Sequence, residues 1–507
     1  HVLTDNEERQ SNNCLINLSK GVWGGKITTF GATQHEGGRK MAKYNPLTAE
    51  MVKELETIVG AKNITIDPEK METYSHDEET DPRYQHMPEA VVFPENAQQI
   101  AEIMKLANRS LVPVVARGGG TGLAAAAVPL FGGIVVSTER MNQVLEINTD
   151  AMYMVVQPGV RTDDVQKAAK EQGLFYAGDP CSGDSCVIGG NVATNAGGNR
   201  AIKYGTTRHQ VYAIEVVTPL GKIVKLGGRL EKSTTGYSLD HLVMGAEGTL
   251  GIITEITLKL KPLPNKVIDL LAIFPTIDQA IGIVTKVIKA GITPTCVEFM
   301  DNGTVKSVEH FLKAKQPHSD VGNYIIIQVE GQSDEDLEDK SVLLDELCMQ
   351  NGALEVLVAD PAKIWHARKS FLEAAREESL IQSKEDMVVP VNQIANLMHQ
   401  AAEISARYGL AARIASHAGD GNVHFHVLKG TLTDEKWDET LKAFQKEVYT
   451  LVYKLGGKLS GEHGIGYKRR HLMEEYTNPD ELDMMRAIKK ALDPNLILNP
   501  GKIFNVE

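Results

Sequence analysis

Three segments dense in glycine and asparagine constrain the fold of this chain most. The first is Arg117-Gly-Gly-Gly-Thr-Gly-Leu123, which follows the apolar run at residues 111–115, predicted to be a strand. Residues without a Cβ let successive backbone N–H groups approach a phosphate. No Walker Gly-Lys-Ser/Thr follows, and Leu123 replaces the third glycine of a Rossmann fingerprint. Alone, this loop fits a tight turn equally well.

Two further segments favour a ligand over a simple turn. The second covers residues 178–199 and continues into Lys203-Tyr204-Gly205, and the third covers residues 245–254. Three nearly uncharged Gly/Asn segments in one region indicate backbone wrapped along an extended ligand. A dinucleotide is long enough to need such contact.

Two histidine signatures predict a second kind of site. They are Ser416-His417-Ala-Gly-Asp-Gly-Asn-Val-His424-Phe-His426 and Ser460-Gly-Glu462-His463-Gly. Residues two apart in a strand share a face, so His424 and His426 point the same way, and the Gly-Asp-Gly-Asn turn folds His417 back toward them. Imidazoles with the Glu462 carboxylate suit a divalent cation. Each histidine alone would be an ordinary core or turn residue; together they predict a metal or catalytic site.

Composition excludes several classes of partner. The chain has 507 residues, enough for two to four domains, and a formal net charge of -13 without a Lys/Arg block, which argues against nucleic acid or an anionic membrane. No apolar run approaches the ~18 residues of a spanning helix. Five scattered cysteines suit a reducing cytoplasm, the expected location, and cannot hold an iron–sulfur cluster. The electron carrier is therefore organic or on another protein.

The sequence also indicates how the chain divides into segments. Residues 1–40 lack sustained periodicity and are predicted to be an extension outside the fold. Lys261-Pro-Leu-Pro264 marks a boundary. Strands and helices alternate beyond it, as in a ferredoxin-like α+β domain: strand 267–274, helix 277–290, strands 295–300 and 324–329, helix 335–350 and strand 354–359.

In their order, these motifs resemble the vanillyl-alcohol oxidase type of flavoprotein. The similarity is to the branch of FAD-linked 2-hydroxyacid dehydrogenases, which includes glycolate oxidase, D-lactate dehydrogenase and D-2-hydroxyglutarate dehydrogenase, and it spans about residues 45–504. It implies an α+β fold with an FAD-binding domain at 41–265 and a ferredoxin-like cap at 266–464. Residues 465–507 would return to the FAD domain.

The resemblance assigns the FAD contacts. The pyrophosphate cradle is Arg117, Gly118, Gly119, Gly120, Thr121, Gly122 and Leu123. The stretch along pyrophosphate and flavin supplies Pro180, Ser182, Cys186, Gly189, Gly190, Asn191, Asn195, Gly197 and Gly198, followed by Tyr204 and Gly205. The third segment supplies Glu247 and, at the adenosine end, Gly251, Ile252 and Ile253, while Asn499 lies near the flavin. Gly120 stands where members with covalent flavin carry His, which implies non-covalent FAD.

The resemblance also assigns the chemistry. His417, His424 and Glu462 would bind one divalent ion, zinc, manganese or iron, that polarises the substrate hydroxyl, and His463 would be the general base. Arg368 and Lys384 would bind the substrate carboxylate. The alternative for Arg368 is a solvated helix residue, since no carboxylate of its own helix pairs with it. His426, where D-2-hydroxyglutarate dehydrogenases carry Asn, is left as a contact to substrate or metal.

The implied reaction is oxidation of D-lactate to pyruvate with hydride transfer to flavin N5. Glycolate and D-2-hydroxyglutarate are alternative substrates. The chain resembles lactate dehydrogenase subunits that pair with an electron-transfer flavoprotein and couple lactate oxidation to NAD and ferredoxin by electron confurcation. A quinone or cytochrome acceptor and an oligomeric state stay open. Alternatives from other classes are a zinc hydrolase and a non-catalytic flavin-binding subunit.

Overall fold

The computed structural model describes residues 44–79 and 81–506. The predicted extension at residues 1–40 therefore lies outside the described residues, and so do the first residues of the domain predicted at 41–265. From Tyr44 onward the described chain forms one unit that contains three main sheets. The predicted domain boundaries stay predictions.

The first sheet, here called the small parallel sheet, has three parallel strands and one antiparallel edge strand. Their spatial order is Ile64–Thr65, Ala90–Val92, Ile134–Ser137 and Val114–Arg117. Helices Ala49–Val59 and Ala97–Ser110 cover one face, and the short helix Pro68–Met71 contributes to the other. Such double coverage explains the continuous apolar runs in these strands.

The strand predicted at residues 111–115 is wrong at its start. Leu111 instead ends the helix Ala97–Ser110 in the left-handed conformation, with φ of 53°. The strand begins at Val114 and continues through Arg117, directly into the first glycine-rich loop. The error has a local cause, because an apolar run does not distinguish the last turn of a buried helix from the strand that follows.

The second sheet is antiparallel. Its strands, in spatial order, are Val144–Asn148, Tyr153–Val156, Ile252–Lys259, Val211–Val217 and Ile223–Gly227. The helices of this region are Thr162–Glu171, Ile188–Thr194, Ala201–Tyr204 and Leu239–Val243. A short pair, Leu174–Phe175 with Lys261–Pro262, precedes the cap. Helix Ile188–Thr194 and strand Ile252–Lys259 carry parts of the second and third glycine-rich segments.

The third sheet, here called the cap sheet, has seven antiparallel strands. Their order is Glu355–Val358, Lys266–Phe274, Asn323–Gly331, Cys296–Met300, Ala411–His417, Asn422–Leu428 and Gln382–Val388. The first four have the order 4-1-3-2 of a ferredoxin-like unit, with helices Ile277–Lys289 and Asp334–Gln350 as its crossovers. The elements predicted between 267 and 359 are all present, within a few residues of the predicted bounds.

The two faces of the cap sheet differ. One face packs into the largest core cluster against helices Ile277–Lys289, Asp334–Gln350, Ile394–Arg407 and Asp434–Lys454. The other face carries charged and histidine side chains and is covered partly by helices Asn302–Leu312, Pro361–Lys369 and Phe371–Glu378. Because side chains alternate along a strand, a fully buried strand can present apolar residues to one face and catalytic residues to the other.

The end of the chain returns to the small parallel sheet. After helices Arg470–Tyr476 and Pro479–Leu492, a parallel bridge joins Leu498 to Val114. The backbone N–H of Asn499 donates to the Val114 carbonyl at 2.7 Å. None of the helices in the described part of the chain is long and apolar enough to cross a membrane.

Candidate functional site

The three glycine-rich segments line one cavity of about 520 Å³. The loop after strand Val114–Arg117 forms one wall, and helix Ile188–Thr194 with the start of strand Ile252–Lys259 forms another. Glu462 and His463 from the second histidine signature line the same cavity. A cavity of this size, walled by backbone and closed by titratable groups, is a ligand site.

Two of its glycines are required for different reasons. A Cβ on Gly119 would lie 2.6 Å from the backbone oxygen of Ser185, so the two loops pack too closely for a side chain. A Cβ on Gly190 would meet no protein atom within 4 Å, although this residue lines the cavity. The backbone at Gly190 is therefore bare toward the cavity, as expected where a ligand lies against it.

Most of the predicted FAD contacts line this cavity. They are Arg117, Gly118, Gly119, Gly120, Thr121, Gly122, Leu123, Pro180, Ser182, Cys186, Gly189, Gly190, Asn191, Gly197, Glu247, Gly251, Ile252 and Ile253. Five do not, namely Asn195, Gly198, Tyr204, Gly205 and Asn499. Three of these five make side-chain hydrogen bonds to neighbouring residues instead. Asn195 accepts from Arg208 N–H, Tyr204 donates to Glu330, and Asn499 donates to the Glu247 carbonyl.

Some residues that line the cavity use their polar side-chain atoms to bind neighbouring loops. The Arg117 guanidinium donates to the carbonyls of Thr73 and His76, so it braces a neighbouring loop. Both oxygens of Glu247 accept from the backbone N–H groups of Ile465 and Gly466 at 2.7 Å. Backbone thus dominates the cavity surface at these points, which suits an extended phosphate-containing ligand.

A substitution separates ligand binding from folding. Gly190→Val is expected to leave the melting temperature of the cofactor-free protein almost unchanged but to weaken FAD binding at least tenfold, because the new side chain enters the cavity. Gly282→Val is the matched control, since Gly282 is also helical with nothing within 4 Å of an added Cβ. Fluorescence titration with FAD measures the affinity of both variants. Equal affinity in the two variants would contradict the placement of FAD.

The histidine signatures converge at one edge of this cavity. His417 ends strand Ala411–His417, and His424 lies in the adjacent strand Asn422–Leu428. One oxygen of Glu462, Oε1, lies 3.2 Å from Nε2 of His417 and 3.2 Å from Nε2 of His424. The three donor atoms lie within 4.8 Å of one another. The structure thus brings together the three side chains that the sequence assigns to one site.

A buried carboxylate lies behind each imidazole, within hydrogen-bond distance of His417 but not of His424. Glu298 Oε1 lies 2.7 Å from His417 Nδ1, and Asp386 Oδ1 lies 3.6 Å from His424 Nδ1. A carboxylate on the far nitrogen fixes the ring orientation and raises the basicity of a metal-binding histidine. The donor set and its supporting shell therefore fit a divalent ion.

The charges of His417, Glu298 and Glu462 also fit a bound cation. Burial disfavours a charge on His417, yet Glu298 and Glu462 outweigh it and raise the pKa of His417 well above its ordinary value. Burial likewise opposes ionisation of Glu462, but His417 outweighs it and holds the pKa of Glu462 well below its usual range. The two carboxylates thus require a positive charge between them. An imidazolium meets that need, and a divalent ion between neutral histidines would meet it too.

Asp386 is the central residue that sequence reasoning missed. Its Oδ2 accepts from the backbone N–H groups of Glu462 and His463 at 3.0 and 2.8 Å and from the Ser460 hydroxyl. Asp386 therefore fixes the loop that carries Glu462 and His463. A signal was available, because Asp386 stands two residues after Lys384 and so shares its face of the strand.

His463 has the environment of a neutral base. Its ring stacks on His424 with centroids 5.1 Å apart, and its Nδ1 lies 4.0 Å from Asp386 Oδ2. Burial lowers the pKa of His463 to about 4, although Asp386 works in the opposite direction. The imidazole is therefore uncharged at neutral pH and free to accept a proton in the cavity.

Arg368 is not the solvated helix residue considered as an alternative. It is 3% exposed, and its Nε donates to Glu298 Oε2 at 2.9 Å. Its Nη2 forms an ion pair with the same oxygen at 2.8 Å. The geometry of that contact is not that of a hydrogen bond, so Nη2 has no hydrogen-bond partner within the described chain. Arg368 thus keeps one buried donor without a hydrogen-bond partner in the protein, although the residue itself does not line the main cavity.

Lys384 and His426 oppose each other across neighbouring strands, away from the metal-ligand atoms. Lys384 donates to the Glu78 carbonyl at 3.0 Å, and burial lowers its pKa to about 8. His426 shares the face of His424, as predicted, but its ring lies 4.4 Å from that of Phe371 and its Nδ1 has no partner. Neither residue lines the main cavity.

Comparisons with family models agree with this architecture. Residues 88–227 match the model described as FAD binding domain, and residues 263–503 match the model described as FAD linked oxidases, C-terminal domain. The fold and the cavity thus define an FAD-binding oxidoreductase with a separate cap.

Curated relatives narrow that class. D-lactate dehydrogenase of Anaerostipes hadrus is 36% identical over 473 residues, 91% of this chain and 98% of that protein. Glycolate oxidase subunit GlcD of Bacillus subtilis (strain 168) is 36% identical over 462 residues, 90% and 97% respectively. D-2-hydroxyglutarate dehydrogenase of Stutzerimonas stutzeri (strain A1501) is 32% identical over 462 residues, 90% and 98% respectively. The chain belongs to the family of FAD-linked 2-hydroxyacid dehydrogenases.

Solved structures confirm the predicted fold. The 4-ethylphenol oxidase from Gulosibacter chungangensis superposes with a TM-score of 0.74 at 19% identity, covering 91% of this chain and 99% of that one. The vanillyl-alcohol oxidase type of fold and the flavin cofactor are therefore confirmed. Membership in an enzyme family also rejects the zinc hydrolase and the non-catalytic subunit as alternatives.

Proposed function

We propose that this enzyme oxidises D-lactate to pyruvate, with a divalent ion at His417, His424 and Glu462. The observation that carries this proposal is the opening of Glu462 and His463 into the cavity lined by the glycine-rich segments. When bound, FAD would accept the hydride and the ion would polarise the substrate hydroxyl. The protein side chains would bind, orient and deprotonate the acid.

Each requirement of a 2-hydroxy acid has a residue in this arrangement. The unused donor of Arg368 would take the carboxylate, and the Arg368–Glu298–His417 chain of contacts would hold it at a fixed distance from the ligand histidines. His463, neutral and held beside Asp386, would remove the hydroxyl proton. Such fixed placement lowers the barrier by holding the Cα hydrogen in one orientation toward the flavin.

The choice of D-lactate rests on its single carboxylate, which Arg368 alone could bind, and on the relative of 36% identity named D-lactate dehydrogenase. D-2-hydroxyglutarate needs a second fixed positive charge, and Arg376, which lines the main cavity, is already paired with Glu78 and Glu373 at 2.9 Å. Lys384 has Glu79 at 3.6 Å. Glycolate and D-2-hydroxyglutarate are kept as alternatives, since relatives carry those names.

The electrons would leave through an external acceptor. We propose an electron-transfer flavoprotein, with coupling to NAD and ferredoxin by confurcation supplied by that partner. The similarity of the motifs to lactate dehydrogenase subunits of such complexes supports this choice. Reoxidation of the reduced enzyme by a purified electron-transfer flavoprotein, compared with a quinone analogue and cytochrome c, tests it. Faster reoxidation by either alternative would replace the proposed acceptor.

The decisive experiment is an anaerobic titration of the FAD-loaded protein. D-lactate, L-lactate, glycolate and D-2-hydroxyglutarate are added separately while the absorption of oxidised flavin is followed. Bleaching by D-lactate at the lowest concentration supports the proposal. Bleaching by another acid at lower concentration transfers the assignment to that acid, and an unbleached flavin with all four refutes the proposed activity.

A further inference from the structure

A second cavity, of about 680 Å³, lies beside the first, and we call it the side cavity. Its floor is formed by Asp269, Cys296 and Gln328, on three neighbouring strands of the cap sheet. Cys296 stands two residues before Glu298 on the same strand, so both face the same way. The floor of the side cavity is thus the continuation of the sheet face that holds the catalytic cluster.

Little separates the two cavities. Lys369 lines both of them, directly after Arg368 in the chain. Cys181 lines the main cavity, and its thiol donates to Asn199 Oδ1, 3.8 Å away, while Asn199 lines the side cavity. Lys369 and the contact between Cys181 and Asn199 therefore connect the linings of the two cavities.

The side cavity also has the charge expected of a route for anions. Among its cations, Lys167, Lys170 and Lys369 have no carboxylate within 4.0 Å in the described portion of the chain. Of the three carboxylates in the lining, Asp163 has no cation within 4.0 Å among the described residues, whereas the other two are engaged. Asp179 lies 3.6 Å from Arg200, and Asp269 accepts from Gln328 and Trp365. Unpaired lysines around a cleft raise the local concentration of small anions.

We propose that the side cavity is the passage through which a small carboxylate reaches and leaves the catalytic cluster while FAD fills the main cavity. A dinucleotide in the main cavity would fill the space beside His463, whereas the side cavity meets the second glycine-rich segment only at its ends, Asp179 and Asn199. Lys369 would bind the carboxylate first, and the neighbouring Arg368 would bind it next. This inference rests on the proposed function.

A plug in the passage tests the proposal. Val267 lines the side cavity and is 48% exposed, so Val267→Trp adds bulk there with little demand on the core. Val358→Trp is the matched control. Val358 is 71% exposed on the neighbouring strand, and it pairs with Leu270, whose side chain points to the opposite face of the sheet. Stopped-flow flavin reduction is measured anaerobically with each FAD-loaded protein over a range of D-lactate concentrations.

The expected result is a loss of at least tenfold in the second-order rate constant for Val267→Trp, with the limiting rate at saturation within twofold of wild type. Val358→Trp should match wild type in the second-order rate constant and in the limiting rate. Lys369→Met should lower the second-order constant several-fold and reduce its dependence on salt, unlike Lys363→Met on the exposed side of the same helix.

The outcomes are distinguishable. Wild-type second-order constants in both Val267→Trp and Lys369→Met would overturn the passage. A wild-type flavin that none of the tested acids bleaches would instead refute the proposed function. An equal loss in Val267→Trp and Val358→Trp would also overturn the passage, since it would show a general effect of surface tryptophan.

Discussion

His463→Ala protein is expected to bind FAD as the wild type does and to reduce it with D-lactate about 10³-fold more slowly. A positioned general base typically contributes between 10² and 10⁴ in rate. Flavin content should persist because His463 borders the cavity and supports none of the glycine-rich loops. Anaerobic stopped-flow absorbance gives the reduction rate, and the visible spectrum gives the flavin content.

His399→Ala is the control for this variant. His399 lies at the protein surface, where it contacts Asp278, and should reduce flavin at the wild-type rate. Unchanged reduction in His463→Ala would reject the assigned base. Loss of flavin from the purified variant would show instead that His463 supports the cofactor site.

The same residue predicts the pH dependence of flavin reduction. Burial lowers the pKa of His463 to about 4, so the reactive neutral form predominates throughout the neutral range. The rate constant should therefore be flat from neutral pH down to about 5 and fall as His463 becomes protonated near 4. Reduction rates measured across this range in wild-type protein give the profile. An inflection near ~6.5 would instead indicate an unperturbed, solvated base.

Removal of the divalent ion is expected to be the second large effect. EDTA-treated protein should remain yellow, because His417 and His424 do not line the cofactor cavity and Glu462 does so only at its edge, yet reduce flavin at least 100-fold more slowly. A bound cation typically contributes several kcal/mol to stabilising developing charge on a substrate oxygen. Addition of zinc, manganese or ferrous iron, one at a time, should restore the rate and identify the ion.

A variant makes the metal test specific. His417→Ala removes one ligand, so chelation should cause little further loss in that protein, whereas it should slow the wild type strongly. Elemental analysis of both proteins accompanies the kinetics. Full wild-type activity with no metal detected would reject the ion, and the His417–Glu462 pair would then be a purely ionic contact.

Much of this architecture could be predicted from local sequence signals. The period of two in strand Asn422–Leu428 placed His424 and His426 on one face, and the Gly-Asp turn before it brought His417 alongside. The alternation of strands and helices between 266 and 359 gave the ferredoxin-like unit. These signals succeed because hydrogen bonding and side-chain alternation act over a few residues.

The supporting shell could not be predicted in the same way. Glu298 reaches His417 across 119 positions of sequence, and Asp386 reaches the His463 loop across 77. Neither carboxylate stands in a distinctive motif, since Glu298 is the one acidic residue of its strand and Asp386 simply follows Glu385 in another. Strand order in the cap sheet brings them to the site, and strand order depends on long-range packing that local patterns do not encode.

The contact between Gly197 and Glu462 is one of several that link the two halves of the enzyme. A Cβ on Gly197 would lie 2.6 Å from a Glu462 carboxylate oxygen, so the flavin-side backbone and the cluster carboxylate fit only as a matched pair. The halves are therefore not interchangeable modules. A cap transplanted from a relative would bring its own counterpart of Glu462, and new substrate preferences acquired by domain exchange would have to preserve this close fit.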